Sequence, residues 1–353
     1  EQRLLHTRTK TRDMTTKLFC FGNPLLDVSA DVDQAFLDKY GVKLNNAIMA
    51  EEKHMPVFED LANNHKPLYI AGGATQNSAR VAQWQVNEPG AVMYTGAIGK
   101  DKFGETLKKA AADDGLTTIY NEVDGTPTGT CAVLVNSSER SLIANLAAAE
   151  KYTIAWTKSD AVQSAIASAG MFYMAGFVLT HSADTVMHIA QHAHDNNKTM
   201  IMNTSAPFLF EVPPFFAAFK EAWEYLDVVV GNESEAAAMG KAFGFAETDV
   251  KGIAIKAAQL PKKNAAKPRM VVITQGADST IVATPEGATE YAVTKVDKVV
   301  DTNGAGDAFC GGFFAGLMQG KPIADSVNCG HYTASVVIQR SGCQFNDAAR
   351  FKF

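Results

Sequence analysis

Paired cysteines are missing from this chain. Of its 353 residues only five are cysteine (Cys20, Cys131, Cys310, Cys329 and Cys343), odd in number and scattered, with no CxxC spacing. No disulfide framework or zinc knuckle is expected, and the thiols read as reduced, in a cytosolic or nuclear compartment. An excess of positive charge is missing too: 32 Lys and Arg against 38 Asp and Glu leave a net charge of -6. Without a basic footprint, neither nucleic acid nor an anionic membrane surface is expected as a partner. No run approaches the roughly 20 apolar residues that span a bilayer. No positive-then-apolar leader opens the chain. No GK[ST] follows a glycine-rich loop, and no GxGxxG opens an N-terminal βαβ unit. A P-loop enzyme and a dinucleotide-dependent dehydrogenase are therefore disfavoured.

What is present is a large apolar fraction, 46%, enough to bury a sizeable core. The polar, Thr/Arg-rich opening from Glu1 to Asp13 has no periodicity, and Met14 is a candidate natural start. Residues 1–16 are expected to form a tail outside the fold. From Lys17 onward, short apolar runs alternate with helical patterns. Leu18–Phe21, Leu68–Ala71, Ala91–Ile98, Met171–Phe177, Thr199–Asn203, Asp227–Val230 and Met270–Thr274 read as strands. Helical patterns cover Asp101–Asp114, Asp307–Gln319 and Ala324–Arg340. This alternation predicts a mostly parallel sheet covered by helices. Two stretches, Asp27–Leu68 and Thr126–Ala149, break the rhythm, and neither is long enough to stand alone. Together they predict a small lid. The basic, Pro-flanked run Leu260–Pro268 reads as a solvated surface loop.

The most specific motif is Asp301-Thr302-Asn303-Gly304-Ala305-Gly306-Asp307-Ala308-Phe309, followed by Gly311-Gly312-Phe313. Phe309, Phe313 and Leu317 recur at helical spacing, so Gly304, Ala305 and Gly306 form a small-residue turn at a helix start. Unpaired amides and the helix dipole there make an anion site. That suits phosphoryl transfer, whose charge spreads over the transferring oxygens. Asp307 in the first turn can accept the proton of a substrate hydroxyl. It can also be an ordinary first-turn helix acid.

Three further motifs end strands. In Gly72-Gly73-Ala74-Thr75-Gln76-Asn77, paired glycines admit close approach of a ligand, and Asn77 can point back at it. In Gly22-Asn23-Pro24-Leu25-Leu26-Asp27, a carboxylate that can accept from two neighbouring hydroxyls follows a polar side chain. In Gly231-Asn232-Glu233-Ser234-Glu235, Asn232 and Glu235 have capping-box spacing. The same pair stands where a hydrated magnesium ion could sit at the end of a parallel strand.

In this order the motifs resemble those of the ribokinase-like (PfkB) carbohydrate and nucleoside kinases. The segment from Gly72 to Asn77 looks like their N-terminal signature and Asp301–Phe313 like their C-terminal one, and similarity runs from Lys17 to Asn346. The segments Asn23–Asp27 and Arg140–Leu146 favour a nucleoside over a simple sugar. The resemblance implies an α/β ribokinase-like fold, with a mostly parallel central sheet covered by helices on both faces and a small α/β lid. Residues 17–26, 69–125 and 150–353 would form the large nucleotide-binding domain, and 27–68 with 126–149 the lid. It implies transfer of phosphate from ATP, with Mg2+ as cofactor, to the 5′-hydroxyl of adenosine; a lid with helices covering its sheet favours a monomer.

The resemblance also implies roles. Asp307 would be the base, Gly304, Ala305 and Gly306 the anion hole, and Arg140 a lid residue that reaches the transferred phosphate. Asp27, Gly73 and Asn77 would hold the ribose, with Asn303 also in the substrate site and Asn23 beside the nucleoside. Leu25, Leu142, Phe177 and Phe208 would wall the purine pocket. Asn232 and Glu235 would organise Mg2+, mostly through water, and Asn232, Thr274, Gly276 and His331 would lie along the ATP cleft. Ala47 and Ala74 stand where this family often carries a polar residue, which bears on purine selectivity. A sugar kinase of the same fold and a non-catalytic nucleoside-binding protein remain the alternatives.

Overall fold

The computed structural model describes residues 15–44, 46–137 and 139–353. Residues 1–14, with most of the expected tail, lie outside the described residues. Thr16, at the end of that stretch, already donates its amide to the Met318 carbonyl at 2.8 Å.

The strands, in chain order, are β1 (Leu18–Phe21), β2 (Leu25–Asp31), β3 (Asn46–Met49), β4 (Leu68–Gly72), β5 (Val92–Gly99), β6 (Thr117–Val123) and β7 (Thr130–Asn136). They continue with β8 (Glu139–Asn145), β9 (Met171–Ala175), β10 (Thr199–Asn203), β11 (Val228–Asn232), β12 (Met270–Gln275), β13 (Asp278–Thr284) and β14 (Gly287–Tyr291). A nine-stranded sheet runs β14-β13-β12-β11-β10-β9-β1-β5-β6. It is parallel from β12 to β6, and β13 and β14 pair antiparallel at one edge.

The strands of this sheet are apolar on both faces, as burial under helices requires. Phe19, Phe21, Phe172, Met174, Met200, Met202, Val229 and Val271 fill one layer. Their alternates Leu18, Cys20, Met171, Tyr173, Ile201, Val228, Val230 and Val272 fill the other. On the second layer the helix Ala305–Met318 packs against Ala74–Val86 and Ile323–Val337. A side chain at Gly311 would meet Val81, and one at Gly312 would meet Thr333, so these glycines let three helices close on one another. Among the described residues no helix is long and apolar enough to cross a membrane.

The second sheet has the order β3-β8-β7-β2-β4. Val28, Ala30, Phe36, Leu37, Val57, Leu61, Ala132, Leu134 and Ile143 bury its outer face beneath the helices Gln34–Tyr40 and Pro56–Asn64. Two boundaries differ from the sequence expectation, which put residues 25–26 and 69–72 with the large sheet. β4 pairs antiparallel with β2, Leu25 opposite Gly72 and Ser29 opposite Leu68, and so belongs to the small one. A short apolar run carries no information about its pairing partner, so the sequence could not decide this.

The run Leu260–Pro268 is a surface loop as expected, with Pro261, Lys263, Ala265, Ala266 and Pro268 exposed, but two of its lysines turn inward. Asp227 is buried at the start of β11 and attracts partners. Lys262, 6% exposed, folds in to bond it, and Lys267 reaches it at 3.1 Å. A buried carboxylate needs opposite charge more than these lysines need water. Beside them Arg269 is 1% exposed. Its guanidinium donates to the carbonyls of Leu226 (3.1 Å), Ala257 (3.2 Å), Leu260 (2.7 Å), Trp223 (2.7 Å) and Pro261 (3.1 Å). One side chain thus closes two helix ends onto β12. Replacing it (Arg269→Met) orphans buried carbonyls and should cost at least about 3 kcal/mol in urea unfolding. The exposed pair Lys109–Asp113 is the control: Lys109→Met should stay within about 0.5 kcal/mol.

Candidate functional site

In an open parallel sheet a crevice forms where neighbouring strands send their following connections in opposite directions. Here that point lies between β1 and β9. The chain leaves β1 towards β5 and β6, and leaves β9 towards β10, β11 and β12. Gly22-Asn23-Pro24 follows β1, and a tight helical turn, Gly176–Thr180, follows β9. Of the expected site residues, Asn23 follows β1 and Phe177 follows β9, on either side of this crevice.

Gly304 opens the helix Ala305–Met318 in the left-handed region (φ 76°), and no side chain caps it. Ala305 donates its amide to the Thr302 carbonyl at 3.2 Å and is therefore occupied. The amides of Gly306 and Asp307 have no protein acceptor among the described residues. The free donors of the turn are thus shifted one residue into the helix, beside the Asp307 carboxylate. Asp301 shapes this loop: its two oxygens accept from the amides of Asn303 and Gly342, each at 2.8 Å. Sequence reasoning gave Asp301 no role, although its Asp-x-Asn spacing is the signal of such a side-chain-to-backbone turn.

Asn77, buried in the first turn of the helix Ala74–Val86, donates to Asp307 Oδ2 at 3.0 Å. Its Oδ1 is buried without a partner. The surrounding protein pushes the Asp307 carboxyl up to about 6, against the Asn77 bond and the positive charge of Arg140, which hold it lower. Arg140 reaches this field from β8, and its own Nε is buried and unpartnered. Asp27, on β2, accepts from Asn303 at 3.2 Å, which ties the small sheet to the signature loop. Burial pushes it up to about 7, with Asp307 and Asp301 adding to the rise. Gly73 stands at φ 89°, and a Cβ there would lie 2.2 Å from the Asn23 carbonyl, so only glycine fits.

The expected apolar wall comes as two pairs. Leu25 and Leu142 share a small cluster on the inner face of the second sheet with Cys131, Val133 and Leu146. Phe177 and Phe208 stand with ring centroids 6.2 Å apart and planes tilted by 33°. Ser205 holds their loops together by accepting from the Gly176 amide at 2.8 Å.

Asn232 and Glu235 form the capping box. Glu235 Oε2 accepts from Thr204 at 2.5 Å and from the Asn232 amide at 3.1 Å, and Oε1 accepts from Asn232 Nδ2 at 2.8 Å. Burial raises its pKa. Thr274 pairs with Asn232 in the β11–β12 register and donates to the Gly231 carbonyl at 3.3 Å. Gly276, φ 57°, turns β12 into β13. His331 is less free than expected: its Nε2 lies 2.8 Å from Thr280 Oγ1 and its ring 5.6 Å from Phe309. Two further residues missed from sequence are Thr75, whose hydroxyl accepts from the Ala175 amide, and His181, which meets Asn23. Neither sits in a recognisable motif.

The arrangement can hold an anion at the Gly306 and Asp307 amides, with a carboxylate beside it and unpaired amide groups facing inward. Comparison with known proteins fits that chemistry. The chain matches the pfkB family carbohydrate kinase profile over residues 34–349. It is 49% identical over 337 residues to "Adenosine kinase 1" of Arabidopsis thaliana, spanning 95% of this chain and 97% of that protein. A crystal structure of Anopheles gambiae adenosine kinase in complex with P1,P4-di(adenosine-5) tetraphosphate superposes with TM-score 0.90. It is 40% identical and covers 95% of this chain and 98% of its own. The adenosine kinase of Schistosoma mansoni in complex with 2-fluoroadenosine gives 0.91 at 35% identity, covering 95% and 99%.

Proposed function

The chain belongs to the pfkB family of carbohydrate kinases, and from that premise we propose that it transfers the γ-phosphoryl group of ATP to the 5′-hydroxyl of adenosine, giving AMP and ADP. One observation carries the reading. Asp307, bonded to Asn77, stands at the uncapped start of a buried helix whose first free amides lie beside it. Base and anion site are then one element, as in-line transfer requires.

Asp27, Gly73 and Asn77 hold the ribose, with Asn303 bracing Asp27. The unpartnered Asn77 Oδ1 and Asn23 Nδ2 supply an acceptor and a donor for it and for the base. Phe177 and Phe208, with Leu25 and Leu142 from the lid, enclose the purine. Asp307 accepts the 5′-hydroxyl proton as the oxygen attacks phosphorus, and the Gly306 and Asp307 amides take up charge on the phosphoryl oxygens. Arg140, its Nε unpaired, adds a positive charge when the small sheet closes over the cleft. Thr274, Gly276 and His331 lie along the donor side.

Mg2+ enters with ATP. Among the described residues no three acidic, histidine or cysteine groups converge to hold a bare ion. Asn232 and Glu235 would meet such an ion through its water shell: Glu235 Oε1 accepts a single protein hydrogen bond and keeps a lone pair for a water.

Asp307→Asn keeps the shape and cannot take the proton. It should lower kcat by at least about 10²-fold and change the adenosine Kd by less than about tenfold. In the wild type, kcat at saturating adenosine should fall as pH drops below about 6, because protonation of Asp307 removes the base, and the variant should lose that limb; kcat/KM should carry an earlier limb near 7, from protonation of Asp27 at the ribose, which the variant keeps. A folded variant with near wild-type kcat would falsify the assignment. A ribose or fructose turned over better than adenosine in a coupled assay would overturn the substrate.

Glu235→Gln places an amide donor against the Thr204 and Asn232 donors, so stability should drop by about 1–3 kcal/mol. It should also raise the Mg2+ needed for half-maximal rate. A lower Tm with unchanged Mg2+ dependence leaves Glu235 as a helix cap alone.

A further inference from the structure

Across the crevice between β1 and β9, the two strand-end loops meet through one contact. His181, which follows the turn Gly176–Thr180, sets its Nε2 3.0 Å from Asn23 Oδ1. Its Nδ1 lies 2.8 Å from the Ser182 hydroxyl. Ser182 has one hydrogen and two choices, His181 Nδ1 at 2.8 Å or the Tyr152 carbonyl at 3.4 Å. The shorter is an ordinary hydroxyl bond and the longer is marginal. The hydroxyl therefore donates to Nδ1, the ring proton resides on Nε2, and Nε2 donates to Asn23 Oδ1. Burial pushes His181 down to about 4, so at neutral pH the ring carries a single proton.

Asn23 is 7% exposed, and its Nδ2 is buried with no protein partner. With Oδ1 tied, the amide can offer a ligand only its donor side. A buried donor without an acceptor is costly, which makes it a place where a ligand gains by supplying one.

Resting on the nucleoside reading above, we propose that His181 is a positioning residue that locks the Asn23 amide donor-side inward, so that the site selects a purine presenting an unprotonated ring-nitrogen acceptor there. The base is the partner rather than the ribose because His181 ends the turn that carries Phe177, the proposed base wall, whereas Asp27 and Asn77 serve the sugar. His181 touches no substrate; it acts through Asn23.

The test is a kinetic panel of adenosine with its 1-deaza, 3-deaza and 7-deaza analogues on the wild type, His181→Leu and His181→Gln. In the wild type one analogue should show a KM raised about three- to tenfold, the range of one neutral hydrogen bond. In His181→Leu that penalty should shrink to within about twofold. The ratios for the other two analogues should stay put and kcat should change little. His181→Gln, which can again donate to Asn23, should restore the penalty. A purely structural role would scale all four substrates together and leave the ratios equal in wild type and variant, and that result overturns the proposal. Imidazole 15N shifts of the folded wild type test it without any substitution: a proton on Nδ1 instead of Nε2 overturns it. A wild type that phosphorylates ribose and not adenosine sinks the nucleoside reading itself, and this inference with it.

Discussion

The structure depends on two carboxylates drawn together around the start of one helix. Asp307, pushed up to about 6, and Asp27, pushed up to about 7, both lie above the ordinary 3.8. A carboxyl raised in this way stabilises the fold fully only below its unfolded value, and that contribution is lost as pH rises through 6 and then 7. At neutral pH the site therefore costs stability. The uncapped helix start, the Asn77 and Asn303 amides and the charge of Arg140 offset part of that cost. The rest falls to the two apolar layers of the nine-stranded sheet and to supports such as Arg269.

The same constraint explains how the two sheets are joined. Asp27 belongs to the small sheet, and its partner Asn303 belongs to the signature loop above the large one. Asp301 fixes that loop from beneath and ties it to Gly342. Small sheet, loop and C-terminal segment thus share one polar network. Bringing a ligand or a proton to any part of it changes the electrostatics of the rest.

Much of the fold was legible in the chain. Strands of the large sheet are short apolar runs, buried on both faces, and a run of that kind needs no partner to be recognised. Leu18–Phe21 and Thr199–Asn203 were expected with the ends they have. The motif at Asp301–Phe313 was legible because small residues before an apolar helix have few other uses. β4 was assigned to the wrong sheet, since pairing is a property of two segments. The loop at Leu260–Pro268 lies at the surface as expected, but the inward turn of Lys262 and Lys267 was not legible because Asp227, their partner, is distant in sequence.

The sequence by itself determined the fold class, the place of the signature turn and the family, since all three reside in local spacing: two for strands, three to four for helices, and glycine where the backbone turns tightly. Only the tertiary structure decided which polar groups are paired and which are left over. It spent the Ala305 amide on Thr302 and freed those of Gly306 and Asp307. It set the Thr204 hydroxyl against Glu235 and turned His181 onto Asn23. A hydrogen bond joins atoms a few ångströms apart whose residues can be more than a hundred positions apart, and no pattern along one chain records that distance.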